Sequence, residues 1–226
     1  MKAFAPLVFV LRWQLYLFIV EFDLICGDES TQFLNFTKET WEKEYEKGEW
    51  KYLNQLPVEL ARSAIIINVF YRKFSPHGKI LDVGCGNGAI AEFLAEKQLE
   101  LYMGIDISET AVNDARNRFP VGAKFEQSTA EKFNVDARLK FDCIIFNEVL
   151  YYTDHVAIMK KYSEYLNVNG IFIISVWSAP RHKQYMNVIF KDASALFHKV
   201  DDYLEVSGVS RGRQVHARVG IFKLKD

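Results

Sequence analysis

The sequence is poor in cysteine, in net charge and in long apolar runs, and each shortage removes a class of protein. Its three cysteines, Cys26, Cys85 and Cys143, lie far apart and show none of the spacings of a zinc site or a disulfide framework. That scatter suits a reducing compartment, and a cytoplasmic location is expected. With 28 Lys and Arg against 29 Asp and Glu, the net charge is −1. No overall basic field awaits a polyanion, so no nucleic-acid partner is expected. The most apolar stretch, residues 1–25, is interrupted by Arg12, Gln14, Glu21 and Asp23. It falls short of the roughly 18 unbroken residues of a membrane helix. It also lacks the cleavage site of a secretory leader. Residues 1–30 are read as an apolar extension of unassigned role, with membrane contact through residues 1–25 the lesser reading. No repeat or low-complexity linker is visible. No cluster of Asp, Glu and His has metal-ligand spacing, and no metal is expected.

What the chain does have is 50% hydrophobic and 15% aromatic content over 226 residues, enough for one sizeable core. It is organised around residues 80–95, ILDVGCGNGAIAEFLA. Residues 79–83 read as a buried strand. Gly84, Gly86 and Gly88 then lack the Cβ atoms that would keep a ligand off the backbone. Ile90, Phe93 and Leu94 predict a helix over 89–97 that aims its N-terminal dipole at whatever the loop holds. A second strand, 100–105, leads to Asp106, about twenty residues past the glycines, where a doubly wound fold places a carboxylate that binds a ribose diol. Two cofactors compete for this loop. Gly84, Gly86 and Ala89 also fit a dinucleotide fingerprint, but Asp82, two residues before the first glycine, would repel a diphosphate and attract a cation.

Elsewhere the pattern predicts helices over 37–47, 57–74, 108–119, 154–166 and 181–197 and strands over 123–126, 141–146 and 170–177. In the helix over 57–74, Leu60, Ala64, Ile67 and Tyr71 form the inward face. Residues 202–206 and 214–223 read as a hairpin joined across 208–212. Asn147 and Glu148 emerge where the strand over 141–146 should reach the carboxyl edge of the sheet, the expected place for ligands.

Asp82-Val-Gly84-Cys-Gly86-Asn-Gly88, Gly104-Ile-Asp106-Ile-Ser108 and Phe141-Asp-Cys-Ile-Ile-Phe-Asn147-Glu148 resemble, in order, the motifs of the class I, seven-β-strand S-adenosylmethionine-dependent methyltransferases, small-molecule branch. The resemblance implies an α/β fold: a doubly wound, mostly parallel seven-stranded sheet with helices on both faces and an antiparallel last strand. It implies a methyltransferase domain over 31–226, with lid helices in 31–78. It also implies that Asp82, Gly84, Gly86, Gly88, Asp106, Ile107 and Asn147 hold S-adenosylmethionine, leaving S-adenosylhomocysteine as product. Thr129, Ala130 and Glu131 correspond to the adenine-edge segment, with Thr129 where an aspartate is common.

A methyl group would then pass by in-line displacement to a nitrogen or oxygen of a small molecule. Tyr152 is the catalytic candidate, because it stands where many relatives carry a histidine. An unperturbed tyrosine, with a pKa of ~10, is mostly protonated at pH 7, so it suits orienting an amine better than deprotonating an alcohol. Tyr151, His155, Arg181 and His182 are substrate candidates, with Arg181 and Lys183 as a clamp for an anionic group. Each also has a plain reading: core packing for Tyr151, a helix start for His155, a solvated charge run for 181–183. Two other functions stay open. An NAD-dependent oxidoreductase would need a substrate domain and a base that are not evident, and a non-catalytic Rossmann-like platform would not need the intact glycines and carboxylates.

Overall fold

The computed structural model describes residues 36–74, 77–178 and 183–225; the extension at 1–30 and the candidates Arg181 and His182 lie outside them. Helices α1 (Lys38–Glu46) and α2 (Pro57–Lys73) come first. The chain then alternates through β1 (Ile80–Val83), α3 (Glu96–Leu99), β2 (Tyr102–Asp106), α4 (Glu109–Arg118), β3 (Lys124–Gln127), β4 (Phe141–Asn147), α5 (His155–Ser163), β5 (Leu166–Ser178) and α6 (Lys183–Leu196). Strands β6 (His198–Lys199), β7 (Leu204–Ser210) and β8 (Arg213–Lys223) complete it.

The sheet order is β3-β2-β1-β4-β5-β8-β6, with β7 paired to β8 off that path. Strands β1 to β5 pair in parallel and β8 runs antiparallel to β5, so the expected doubly wound α/β sheet with its antiparallel last strand is present. It has eight strands where seven were expected, because the two-residue β6 and the longer β7 pair separately with the two ends of β8. Sheet growth reverses direction between β1 and β4, which leaves a crevice at their carboxyl ends.

Period-two alternation builds the two sides. Leu81, Val83, Ile144, Phe146, Phe172 and Ile174 face α5 and α6 through Ile158, Met159, Tyr162, Ile189 and Phe190. On the opposite side, Ile80, Tyr102, Cys143, Ile145, Ile171 and Ile173 meet Ile66 and Phe70 of α2 and Val112 and Ala115 of α4. Local signals for helix starts hold well: the side chains of Thr37, Ser108 and Asp154 each cap a helix, and Pro57 opens α2.

Three expectations are corrected. No long helix follows the glycines. A 3-10 turn over Ala91–Phe93 gives way to extended Leu94 and Ala95, because the Ala95 N–H donates to the Tyr71 hydroxyl at 2.9 Å. The inward face of α2 is turned from the one expected: Val58, Glu59, Arg62, Ser63, Ile66, Ile67, Val69 and Phe70 are buried, and the stripe passes through two charged residues. The closing hairpin is tighter than 208–212. Its turn is Arg211 and Gly212, both left-handed at φ 50° and 77°, as a two-residue hairpin with a primed turn requires. Gly208 lies inside β7, where an added Cβ would stand 2.9 Å from Val58 of α2.

Candidate active site

Gly84, Gly86 and Gly88 have φ of 77°, 53° and 80°, a region that side chains disfavour. Their missing Cβ atoms face protein. At Gly84 a Cβ would come within 2.8 Å of Val149, at Gly88 within 2.9 Å of Phe119, and at Gly86 within 2.7 Å of the Tyr45 hydroxyl. Close packing inside the fold therefore requires the outer two glycines, and only Gly86 faces the helix that covers the sheet edge. The loop's donors are also engaged. The N–H groups of Gly84 and Cys85 donate to the Ile105 carbonyl, that of Gly88 to Cys85, and that of Gly86 to Asp106 Oδ2 at 2.8 Å. These four donors are engaged and only a 3-10 turn follows the loop, so they offer a diphosphate no cradle.

Asp106 ends β2 as a brace. Its Oδ1 accepts from the Ser108 N–H at 2.9 Å, and each carboxylate oxygen keeps a second lone pair. Burial pushes its carboxyl up to about 6, against the lowering hydrogen bonds from Ser108 and Gly86 and helped by the charge of Glu42. Asp82 is 1% exposed and accepts from the Tyr102 hydroxyl at 2.6 Å, while its Oδ1 has no partner among the described residues. Burial raises it to about 7, against the Tyr102 hydrogen bond and with help from the charge of Asp106.

Beside Asp106, the Ile107 carbonyl is held by the Gln127 side chain and the Ser128 N–H donates to the Asp106 carbonyl. Thr129 Oγ1 accepts from the Lys132 N–H, the Ala130 carbonyl accepts from the Tyr162 hydroxyl, and the carbonyl of exposed Glu131 accepts from Lys161. The adenine-edge candidates thus form one braced turn.

Asn147, at the end of β4, accepts from Arg62 Nε at 3.1 Å. Arg62 also meets Glu59 at 2.8 Å and lies 3.7 Å from Glu148. Glu148 has φ 59°, a strained backbone for a residue with a side chain, and its contacts over-determine it. Its carboxylate accepts from the Ser175 hydroxyl, the Trp177 N–H and the Tyr151 hydroxyl at 2.7, 2.6 and 3.1 Å, and Ser210 donates to Glu59 at 2.8 Å. One buried guanidinium is thus shared between two carboxylates under the site. Burial lowers the Arg62 pKa, but Glu148 and Glu59 outweigh it and keep the cation. Sequence reasoning missed Arg62 and Glu59, because charge reads as solvent-facing, while Glu148 stands beside Asn147 at the ligand edge where it was expected. The available signal for Arg62 and Glu59 was their spacing with Ile66 and Phe70 on one stripe of α2.

Above this floor lies an aromatic roof. Tyr152 meets Trp41 and Phe36 edge-on at 4.9 and 5.5 Å and sits 4.5 Å from Tyr151. Trp50 packs on Trp41, Tyr45 and Tyr52, and its indole N–H donates to Glu44 at 2.9 Å. Burial drives the Tyr151 and Tyr152 hydroxyls well above the ordinary tyrosine value, so both are neutral phenols at pH 7. His155 opens α5 and its Nε2 is engaged by Asp192 of α6 at 2.8 Å, the helix-start reading. Among the described residues no three His, Cys, Asp or Glu side chains converge to hold a metal ion.

Residues 74–213 match a family model described as a methyltransferase domain. Curated relatives include the ubiquinone biosynthesis O-methyltransferase of Pasteurella multocida, 30% identical over 161 residues, covering 65% of this chain and 63% of that one. The mRNA cap guanine-N(7) methyltransferase of Cryptococcus neoformans is 26% identical over 137 residues, 52% of this chain and 22% of the relative. The chain therefore spans less than two thirds of the length of either. Among solved structures, the N-methyltransferase NodS of Bradyrhizobium japonicum in complex with S-adenosyl-L-homocysteine superposes with a TM-score of 0.68 at 17% identity, over 82% of this chain and 98% of that one. Magnesium protoporphyrin IX methyltransferase of Synechocystis gives 0.55 at 15% identity, over 87% and 99%. These structural likenesses concern the fold, and the family model takes in more than half of the sequence: the chain belongs to the methyltransferase-domain family, with the class I fold.

Proposed function

We propose that this chain transfers a methyl group from S-adenosylmethionine to a small molecule, with a nitrogen acceptor favoured over oxygen. The domain is residues 31–226; its roof comes from residues 36–52, since α2 packs on the face of the sheet, and the domain acts in the cytoplasm. The observation that carries the reading is the charge of the site. The four named donors of the glycine loop are already engaged, Asp82 keeps a buried oxygen without a partner among the described residues, and Glu59 and Glu148 share the Arg62 guanidinium. Such a site suits a sulfonium and an ammonium and opposes the diphosphate of NAD.

The residues fit the cofactor. Asp106 would take the ribose hydroxyls on its second lone pairs, with Ile107 and residues 129–131 along the adenine and Asp82, Asn147 and the loop at Gly86 along the amino-acid end. When bound, the cofactor supplies an activated methyl group on sulfur. The chain's own work is to orient the acceptor and exclude water. Tyr151 and Tyr152, held neutral by burial, are poor bases. The Tyr152 hydroxyl would orient an amine that arrives deprotonated, and the two rings would stabilise the positive charge that grows on its nitrogen as it takes the methyl group.

The test is parallel calorimetry with S-adenosylhomocysteine and NAD. S-adenosylhomocysteine at a hundred times its dissociation constant adds about 2.7 kcal/mol of stability. Tighter binding of NAD sinks the reading. With an amine acceptor, kcat/KM rises with pH to the amine's own pKa and Tyr152→Phe slows the reaction without abolishing it. Turnover of hydroxyl acceptors alone, with an inactive Tyr152→Phe that still binds cofactor, overturns the nitrogen preference.

A further inference from the structure

We propose that Glu42 is a positioning residue, the catch that fastens α1 over the site and sets the rate at which cofactor enters and leaves. The inference rests on the cofactor reading above. The first N–H groups of a helix have no partner within it. In α4, Ser108 takes the N–H of Ala111, and Glu42 takes two others from across the fold. Its Oε2 accepts from the Glu109 N–H at 2.9 Å and its Oε1 from the Thr110 N–H at 2.8 Å and from the Thr110 hydroxyl. Burial raises the Glu42 carboxyl, but hydrogen bonds from Thr110 and Ser108 outweigh it and hold the group below the ordinary carboxylate range, so it stays charged at neutral pH.

Two features make this contact a catch. The helix that carries it has no fully buried residue, so α1 is held by its aromatic contacts and by this carboxylate rather than by the core, as elements that open locally are. The roof is built from the neighbours of Glu42: Trp41 lies edge-on to Tyr152, and Tyr45 brings its hydroxyl into the space left by the missing side chain of Gly86. On the other side, the turn it grips carries Asp106, whose carboxylate accepts from the Ser108 N–H. A ligand reaching the backbone at Gly86 must displace Tyr45, and a ligand held by Asp106 is covered while Glu42 stays in place. Entry and exit both wait on the same contact.

Stopped-flow tryptophan fluorescence of the full chain with S-adenosylhomocysteine tests this, since Trp41 and Trp50 lie in the roof. Glu42→Gln keeps the shape but turns an amide against donors, and it raises the association and dissociation rate constants together, each by about tenfold, the scale of a lost charged hydrogen bond. Their ratio moves by less than either rate. Thr110→Val removes only the hydroxyl donor and raises both rates by a smaller factor. Rates unchanged in Glu42→Gln, or a rise confined to dissociation with affinity falling in step, overturn the catch while leaving the methyltransferase reading intact. A wild-type chain that binds no S-adenosylhomocysteine overturns both.

Discussion

Replacing Asp82 with asparagine should change how stability depends on pH. The carboxyl is 1% exposed, accepts from the Tyr102 hydroxyl at 2.6 Å, and is raised by burial from 3.8 to about 7. Between those values the folded chain keeps a proton that the unfolded chain releases. Its contribution to stability is therefore full below 3.8 and is lost as pH rises through about 7. At about 1.4 kcal/mol per pH unit over roughly three pH units, the loss is about 4 kcal/mol. Asp106, raised to about 6, titrates beside it, so the two release protons as a pair and the fall is spread over both. Asparagine still accepts from Tyr102 but cannot ionise. Thermal melts from about pH 5 to about pH 8.5 cover roughly two of those three units, so the variant should gain about 2.7 kcal/mol on wild type as pH rises, or about 5–11 °C for a domain of this size. Parallel melting curves for the two proteins, or a wild type that gains on the variant as pH rises, would refute the argument.

Asp106→Ala should weaken S-adenosylhomocysteine binding by ~1.5–3 kcal/mol in calorimetry, and normal binding would remove its ribose role. Arg62→Met leaves Glu59 and Glu148 buried without their cation and should cost ~3–5 kcal/mol in urea melts. Adding Glu59→Gln should recover part of that cost; no recovery means the loss is one of packing. Gly208→Ala should cost ~1–3 kcal/mol through its clash with Val58 and be relieved by Val58→Ala, whereas Gly212→Ala meets open space and should cost only its left-handed strain, roughly 1–2 kcal/mol.

The parts legible in the sequence are those fixed by short-range chemistry. Ser108, Thr37, Asp154 and Pro57 announce helix starts because a cap bonds within its own turn. Asp106 was found because strand, loop and strand have a fixed spacing. What escaped depends on partners far along the chain. The helix expected over 89–97 breaks where Ala95 bonds Tyr71, and nothing in the local pattern marks that contact. Gly208 resembles a turn glycine, yet α2 passes beside it, and Gly212 carries the turn. Arg62 and Glu59 carry charge that argues for solvent, and only Asn147, Glu148 and Ser210 explain their burial. Nothing in the local pattern pairs Tyr45 with Gly86, because their meeting is a tertiary event.

The place of β8 in the sheet constrains the order in which the molecule can be assembled. It lies between β5 and the β6 and β7 edge, all of which leave the ribosome earlier, so the β5 edge over residues 171–178 stays unpaired until residues 213–223 arrive. An open edge beside a finished parallel sheet is a template for wrong pairings, and late closure makes it last longer. Glu59 likewise waits for Ser210, which the same hairpin delivers. A chain halted before Arg213 would already carry the glycine loop and Asp106, yet Glu59 and Arg62 would sit in an unfinished floor, so the electrostatics of the site mature only when the final strand slots in.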